Sequence, residues 1–143
     1  MLQSEPGTYL LVCPADRPRN IRIGAKGLTS FDKGYYLYVG SAFGPGGIRA
    51  RVGRHCRRRK PKRWHIDYLT AHFRPTRALI SYEQIRHEHD WASQLEKQQG
   101  MLPMGGFGNS DCRCRSHLFL SRKAPDQAAL VSGLAGDIEV VAF

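Results

Sequence analysis

The sequence predicts an α/β fold of the α+β kind, and three observations carry that reading. Short runs of aromatic and β-branched residues alternate at period two in the first third of the chain, with glycine and proline turn signals between them. Apolar residues then recur at helical spacing, at Ile48, Val52 and Cys56 and again at Ile66, Leu69 and Phe73. The 143 residues are 41% hydrophobic and 24% charged, which is globular rather than disordered and enough for one domain over 1–143 with a sizeable core. Strand and helix signals continue to the end, so extra elements are expected there.

Residues 7–14, GTYLLVCP, read as a first strand ended by Pro14. Residues 20–25, NIRIGA, suggest a second through the alternation of Ile21 and Ile23. Gly24, Gly27 and Gly34 punctuate the path to a third, where Tyr36, Tyr38 and Gly40 alternate with Leu37, Val39 and Ser41. An antiparallel meander is the simplest arrangement of the three. The run GSAFGPGG at 40–47 breaks the last strand, and a helix is expected from about Ile48, with Arg51 and His55 on one face.

Residues 64–73 should form a second helix, stopped by Pro75. Its histidines, His65 and His72, lie about two turns apart, too far to share a metal ion. A strand is expected over 77–83 and a helix over about 84–98, with an apolar stripe of Ile85, Ala92 and Leu95. Glu88 completes that series. A carboxylate on an inward face costs free energy unless it meets a cation, a metal or donors, which makes Glu88 a functional candidate. The plainer reading is a carboxylate at the margin of the stripe, reaching outward. A glycine-rich loop over 101–109, a strand over 118–121, a helix over 125–134 and a strand over 138–143 complete the chain.

The formal charge is +10, which favours an acidic partner. Nine Lys or Arg and no acid fall within 49–63, among them Arg54, Arg57, Arg58, Arg59, Lys60, Lys62 and Arg63. The plainer reading is a solvated helix face and a charged loop. Directly after a tyrosine strand and a glycine-rich turn, however, the cations suit a phosphate-rich polymer laid across the strand end. No apolar run approaches the roughly 18 residues that span a bilayer, and the N-terminus lacks the pattern of a signal peptide. A cytoplasmic location and no membrane partner are therefore expected. In that setting the four cysteines, Cys13, Cys56, Cys112 and Cys114, are not expected to form disulfides. Cys112, Cys114 and His117 are candidate zinc ligands, but C-x-C is a poor chelating spacing.

In order, Gly7-Thr8-Tyr9, Tyr38-Val39-Gly40, Arg51 and His55 at R-x-x-x-H spacing, and Glu88 resemble the GIY-YIG nuclease superfamily. GYYLYVGSA, RHCRRRKPKRWHIDYL and GFGNSDCRCRSHLF are similar more narrowly to its DUF123 branch, sometimes fused to DNA-repair glycosylases. Thr8 and Val39 stand where the superfamily has Ile, and residues 10–37 separate the tripeptides, longer than the usual hairpin. The resemblance implies a small central three-stranded antiparallel sheet flanked by helices, and metal-dependent hydrolysis of phosphodiesters in DNA or RNA.

It also implies the roles. Tyr9 would be general base, Tyr38 would orient water or phosphate, Arg51 would neutralise phosphate charge, and His55 would contact phosphate or carry a proton. Glu88 would hold Mg²⁺ or Mn²⁺. Lys26 and the basic loop would bind the nucleic-acid backbone, and Asn109 matches a later family Asn by order alone. A DNA-repair protein is the partner class it points to. Two other readings compete: a non-catalytic nucleic-acid-binding module on the same fold, and a zinc-stabilised interaction protein built on Cys112, Cys114 and His117.

Overall fold

The computed structural model describes residues 1–105 and 116–143. Its core is a six-stranded antiparallel sheet, built on β1 (Gly7–Ala15), β4 (Gly34–Ala42) and β5 (Arg77–Ser81). The edge elements are β6 (Leu102–Pro103), β7 (Leu118–Ser121) and β8 (Glu139–Ala142), and the order is β6-β7-β4-β1-β5-β8. The mixed class is as expected, and the sheet is larger than three strands because the C-terminal elements extend it on both sides.

The expected meander is not what forms. The second strand, β2 (Arg19–Ile23), pairs with β3 (Gly27–Phe31) in a separate two-stranded sheet, while β1 pairs directly with β4. Ile21, Ile23 and Phe31 turn the hairpin's inner side onto the main sheet and leave its other side wet. That frees β1 to sit at the centre between β4 and β5.

Period-two alternation sends successive side chains of β1 and β4 to opposite faces. Tyr9, Leu11, Cys13 and Tyr36 join the core formed with α1 (Gly47–Cys56) and α2 (His65–Thr70). Leu10, Val12, Leu37 and Val39 join the core with α3 (Glu88–Glu96) and α4 (Gln127–Gly133). Helices thus cover both faces of the sheet. The helix expected over 84–98 starts only at Glu88, and Ile85 is 61% exposed rather than part of a stripe. The apolar face of α3 is Trp91, Ala92 and Leu95, with Trp91 fully buried and its indole N–H donating to the Ala135 carbonyl at 2.8 Å. The helix expected over 64–73 ends at Thr70, and the turn beyond it still delivers Phe73 to the core.

Candidate active site

The two tripeptides meet across one sheet end because β1 and β4 pair in a register that sets Tyr9 opposite Gly40 and Thr8 opposite Ser41. The Tyr9 ring lies over Gly40, where any Cβ would run into the phenol. Gly7 packs so closely on the Ser81 carbonyl that a side chain there would also collide. Thr8, the middle residue of the first tripeptide, faces the other side. Its hydroxyl accepts the His87 N–H at 3.3 Å, which docks the start of α3 onto β1 and brings Glu88 to the same end.

Helix α1 enters from the opposite face. Gly46 and Gly47 both have positive φ (83° and 58°), a conformation glycine adopts without a Cβ clash, and the turn lets the N-terminal segment pass close by. The Ile48 and Arg49 amides donate to the Glu5 and Gln3 carbonyls, both at 2.9 Å. Ile48, Val52 and His55 form the buried side of α1. His55 is only 1% exposed, and its Nε2 lies 2.7 Å from the Tyr9 hydroxyl. Its Nδ1 is buried without a hydrogen-bond partner among the described residues.

Burial pulls the His55 pKa down to about 3, against a smaller upward pull from Asp67, so the ring is neutral at ordinary pH. Burial pushes the Tyr9 phenol well up, Tyr38 adds to this, and Arg51 opposes it through its charge and a hydrogen bond. Tyr38, half-buried, is raised by burial first and by Glu88 second. Its ring stands edge-on to His55, with centroids 6.0 Å apart. Arg51 donates to the Ser41 carbonyl at 3.2 Å.

From the other face Glu88, in the first turn of α3, reaches the same strand end. Its Oε2 is 2.9 Å from His117 Nδ1, and the Ser41 hydroxyl is a further hydrogen-bond partner. Burial raises the Glu88 pKa, but the His117 and Ser41 hydrogen bonds outweigh it, so the carboxyl is held below its usual range and stays ionised. His117 is placed by a backbone bond, its carbonyl accepting the Val39 N–H at 2.9 Å. Tyr9, Tyr38, Arg51, His55 and Glu88 are therefore gathered at one sheet end. Ser41 and His117 were not singled out for this role. Ser41 follows the second tripeptide directly, a signal available in the sequence; the Glu88–His117 contact spans 29 positions and has none.

The basic strip divides into two groups. Asp67, fully buried, accepts four hydrogen bonds: from Arg54 at 2.7 and 3.0 Å, from the Arg63 N–H at 2.7 Å and from the Trp64 N–H at 2.9 Å. Burial raises the Asp67 pKa, and these donors more than reverse it. Arg54 is thus occupied as the partner of a buried carboxylate. Lys60 caps the end of α1, donating to the His55 and Arg57 carbonyls and to the Thr70 hydroxyl at 3.1, 2.7 and 3.1 Å. Arg57, Arg58, Arg59, Lys62 and Arg63 are exposed. Lys26 is exposed in the single 3-10 turn between β2 and β3, on the hairpin that packs against α2.

Among the described residues no three His, Cys, Asp or Glu converge as a metal cage. A single ionised, partly exposed carboxylate with a neighbouring hydroxyl fits Mg²⁺ or Mn²⁺, which are commonly held by one or two carboxylates with water and substrate phosphate completing the shell. Asn109, Cys112 and Cys114 lie outside the described residues. Cys13 and Cys56 are free thiols, and no helix among the described residues is long and apolar enough to cross a membrane.

No curated protein and no solved structure matches the chain. A family model, the domain of unknown function DUF123, matches residues 8–139. It spans Thr8 and Tyr9, the second tripeptide, the Arg51–His55 helix, the Asp67-centred cluster and Glu88, so this chain belongs to the DUF123 family.

Proposed function

We propose that the protein is a metal-dependent endonuclease of the GIY-YIG type, hydrolysing phosphodiester bonds in DNA, with RNA as the other candidate polymer. One observation carries this: the buried Tyr9–His55 hydrogen bond of 2.7 Å, with Arg51 acting on the same phenol and the ionised Glu88 at the same strand end. A phenol is a weak base until its proton has somewhere to go. His55 is neutral and 2.7 Å away, so Tyr9 can take a proton from the attacking water while passing its own to Nε2. The charge of an arriving phosphate favours the imidazolium that burial otherwise disfavours. The His55 Nε2 is already bonded to the Tyr9 hydroxyl, which supports the proton-carrying role over the phosphate contact.

Arg51 presents its guanidinium to the charge that develops on the phosphoryl oxygens. Tyr38 holds the water or phosphate from the neighbouring strand. When bound at Glu88, Mg²⁺ or Mn²⁺ supplies Lewis-acid neutralisation at the phosphate and the leaving 3′-oxygen. His117 and Ser41 keep the carboxylate ionised and oriented for that ion.

A second reading is favoured by the 1% exposure of Tyr9. The Tyr9–His55 pair would then brace sheet to helix, and the protein would bind nucleic acid without cutting it. Labelled single-stranded, duplex and branched DNA, and RNA, incubated with Mg²⁺ or Mn²⁺ separate the two. Cleavage that disappears with Tyr9→Phe supports the nuclease. Salt-sensitive binding with no nicking in either metal supports the module.

A further inference from the structure

We infer that the cleft beside Trp64 is a second phosphate subsite, taking a backbone phosphate next along the strand from the one at Arg51. This rests on the phosphodiester reading above. A cleft of about 240 Å³ opens between the 44–47 turn and α1, lined by Gly44, Pro45, Arg51, Arg54, Arg63 and Trp64 among others. No acid lines it. Three guanidinium carbons lie 4.5, 4.6 and 5.8 Å from the Trp64 ring centroid, those of Arg51, Arg54 and Arg63.

Two of the three are fixed before a ligand arrives. Arg51 is tied to the Ser41 carbonyl and Arg54 is forked onto Asp67, so little side-chain entropy remains to be lost there. Arg63 is exposed, and only its backbone N–H is committed to Asp67. Summing these side chains, +3 from the arginines and −1 from Asp67, leaves the pocket wall positive. The first amides of α1 do not contribute, because Gln3 and Glu5 already hold them.

The ligand is a phosphate rather than a stacked base for two reasons. Guanidiniums already occupy the positions over the indole at cation–π range. The volume also falls below the roughly 300 Å³ at which pockets for larger molecules begin. Arg51 fixes the register, since it both lines the cleft and is tied to the Ser41 carbonyl, next to the Gly40 over which the Tyr9 ring lies. A phosphate in the cleft is therefore a neighbour of the one presented to Tyr9.

Tryptophan emission reads the cleft directly. The chain has two tryptophans, and Trp91 is fully buried with its N–H bonded to Ala135, so a ligand-dependent change belongs to Trp64. The whole protein is titrated with a short single-stranded oligothymidylate in EDTA at several salt concentrations. Arg63→Gln is expected to weaken binding about tenfold and to lower the log–log salt slope by about 0.7, one phosphate contact, while shrinking the Trp64 change. Lys97→Gln, an exposed cation at the end of α3 that does not line the cleft, should leave binding and that emission change intact.

An emission spectrum unmoved at saturation, or an Arg63→Gln variant indistinguishable from Lys97→Gln, overturns the subsite. The nuclease reading fails separately. Binding with a Trp64 response but no cutting in Mg²⁺ or Mn²⁺ leaves the subsite standing, whereas cutting by the wild type without a Trp64 response leaves only the nuclease.

Discussion

Replacing Asp67 by alanine should destabilise the fold by about 3 kcal/mol. The carboxylate is wholly buried and satisfies two guanidinium N–H groups and two backbone amides. Removing one partner of a buried ion pair typically costs about 3–5 kcal/mol, because the other charge is left uncompensated. The Arg54 side chain is 14% exposed and keeps its bond to the Pro61 carbonyl at 2.8 Å, so partial rehydration places the loss at the lower end. In a domain of this length that is a fall in Tm on the order of 10 °C. Urea unfolding reads it as a lower midpoint at constant m-value. Asp67→Asn, which keeps an acceptor for the amides, should lose less, about 2 kcal/mol. A cycle with Arg54→Met should show coupling above about 1 kcal/mol. A loss below about 1 kcal/mol with no coupling would refute the reasoning, since exposed pairs behave that way.

Other expectations follow from the same geometry. Gly40→Ala should displace the Tyr9 ring and cost about 1–3 kcal/mol by overpacking, with lower activity in cleavage assays; a fully active, equally stable variant would contradict the close approach. Folding lowers the His55 pKa from 6.5 to about 3, so between those values the unfolded chain binds more protons than the native one and stability rises with pH. The contribution is complete above about pH 6.5 and is lost as pH falls toward 3; His55→Asn should flatten that slope in denaturation curves collected across the window. Asp67, lowered by folding, loses its own contribution only in more acidic solution, below its ordinary 3.8; because its charge pulls the His55 pKa upward, its variants should extend the His55 window at the acid end.

The strands of the core were legible because alternation and burial agree: Tyr9, Leu11 and Cys13 face one side of β1, Leu10 and Val12 the other. β3 was not, since only Phe31 in Gly27–Phe31 is buried and no apolar pattern marks it. The hairpin it forms with β2 therefore looked like a meander. Glu88 was reached through a series that counted the exposed Ile85 and passed over the buried Trp91. Its place at the site comes instead from the first turn of α3 and the Thr8 hydroxyl that docks it. Charge counting treated the basic strip as uniform. Asp67, just beyond the strip, divides it by claiming Arg54, and Lys60 is claimed by the end of α1. Such pairings depend on how α1 and α2 cross, which no local pattern encodes.

In the proposed reaction a phosphodiester is hydrolysed at the strand end where Tyr9 and Glu88 meet. Single-turnover cleavage with Mg²⁺ or Mn²⁺ tests it most directly, with wild type and Glu88→Gln compared on the same labelled nucleic acid at matched occupancy. The wild type should cut, and Glu88→Gln should lose cutting by about 10²-fold or more with binding retained. Equal rates in the two proteins, or no cutting by either on any nucleic acid, would contradict it.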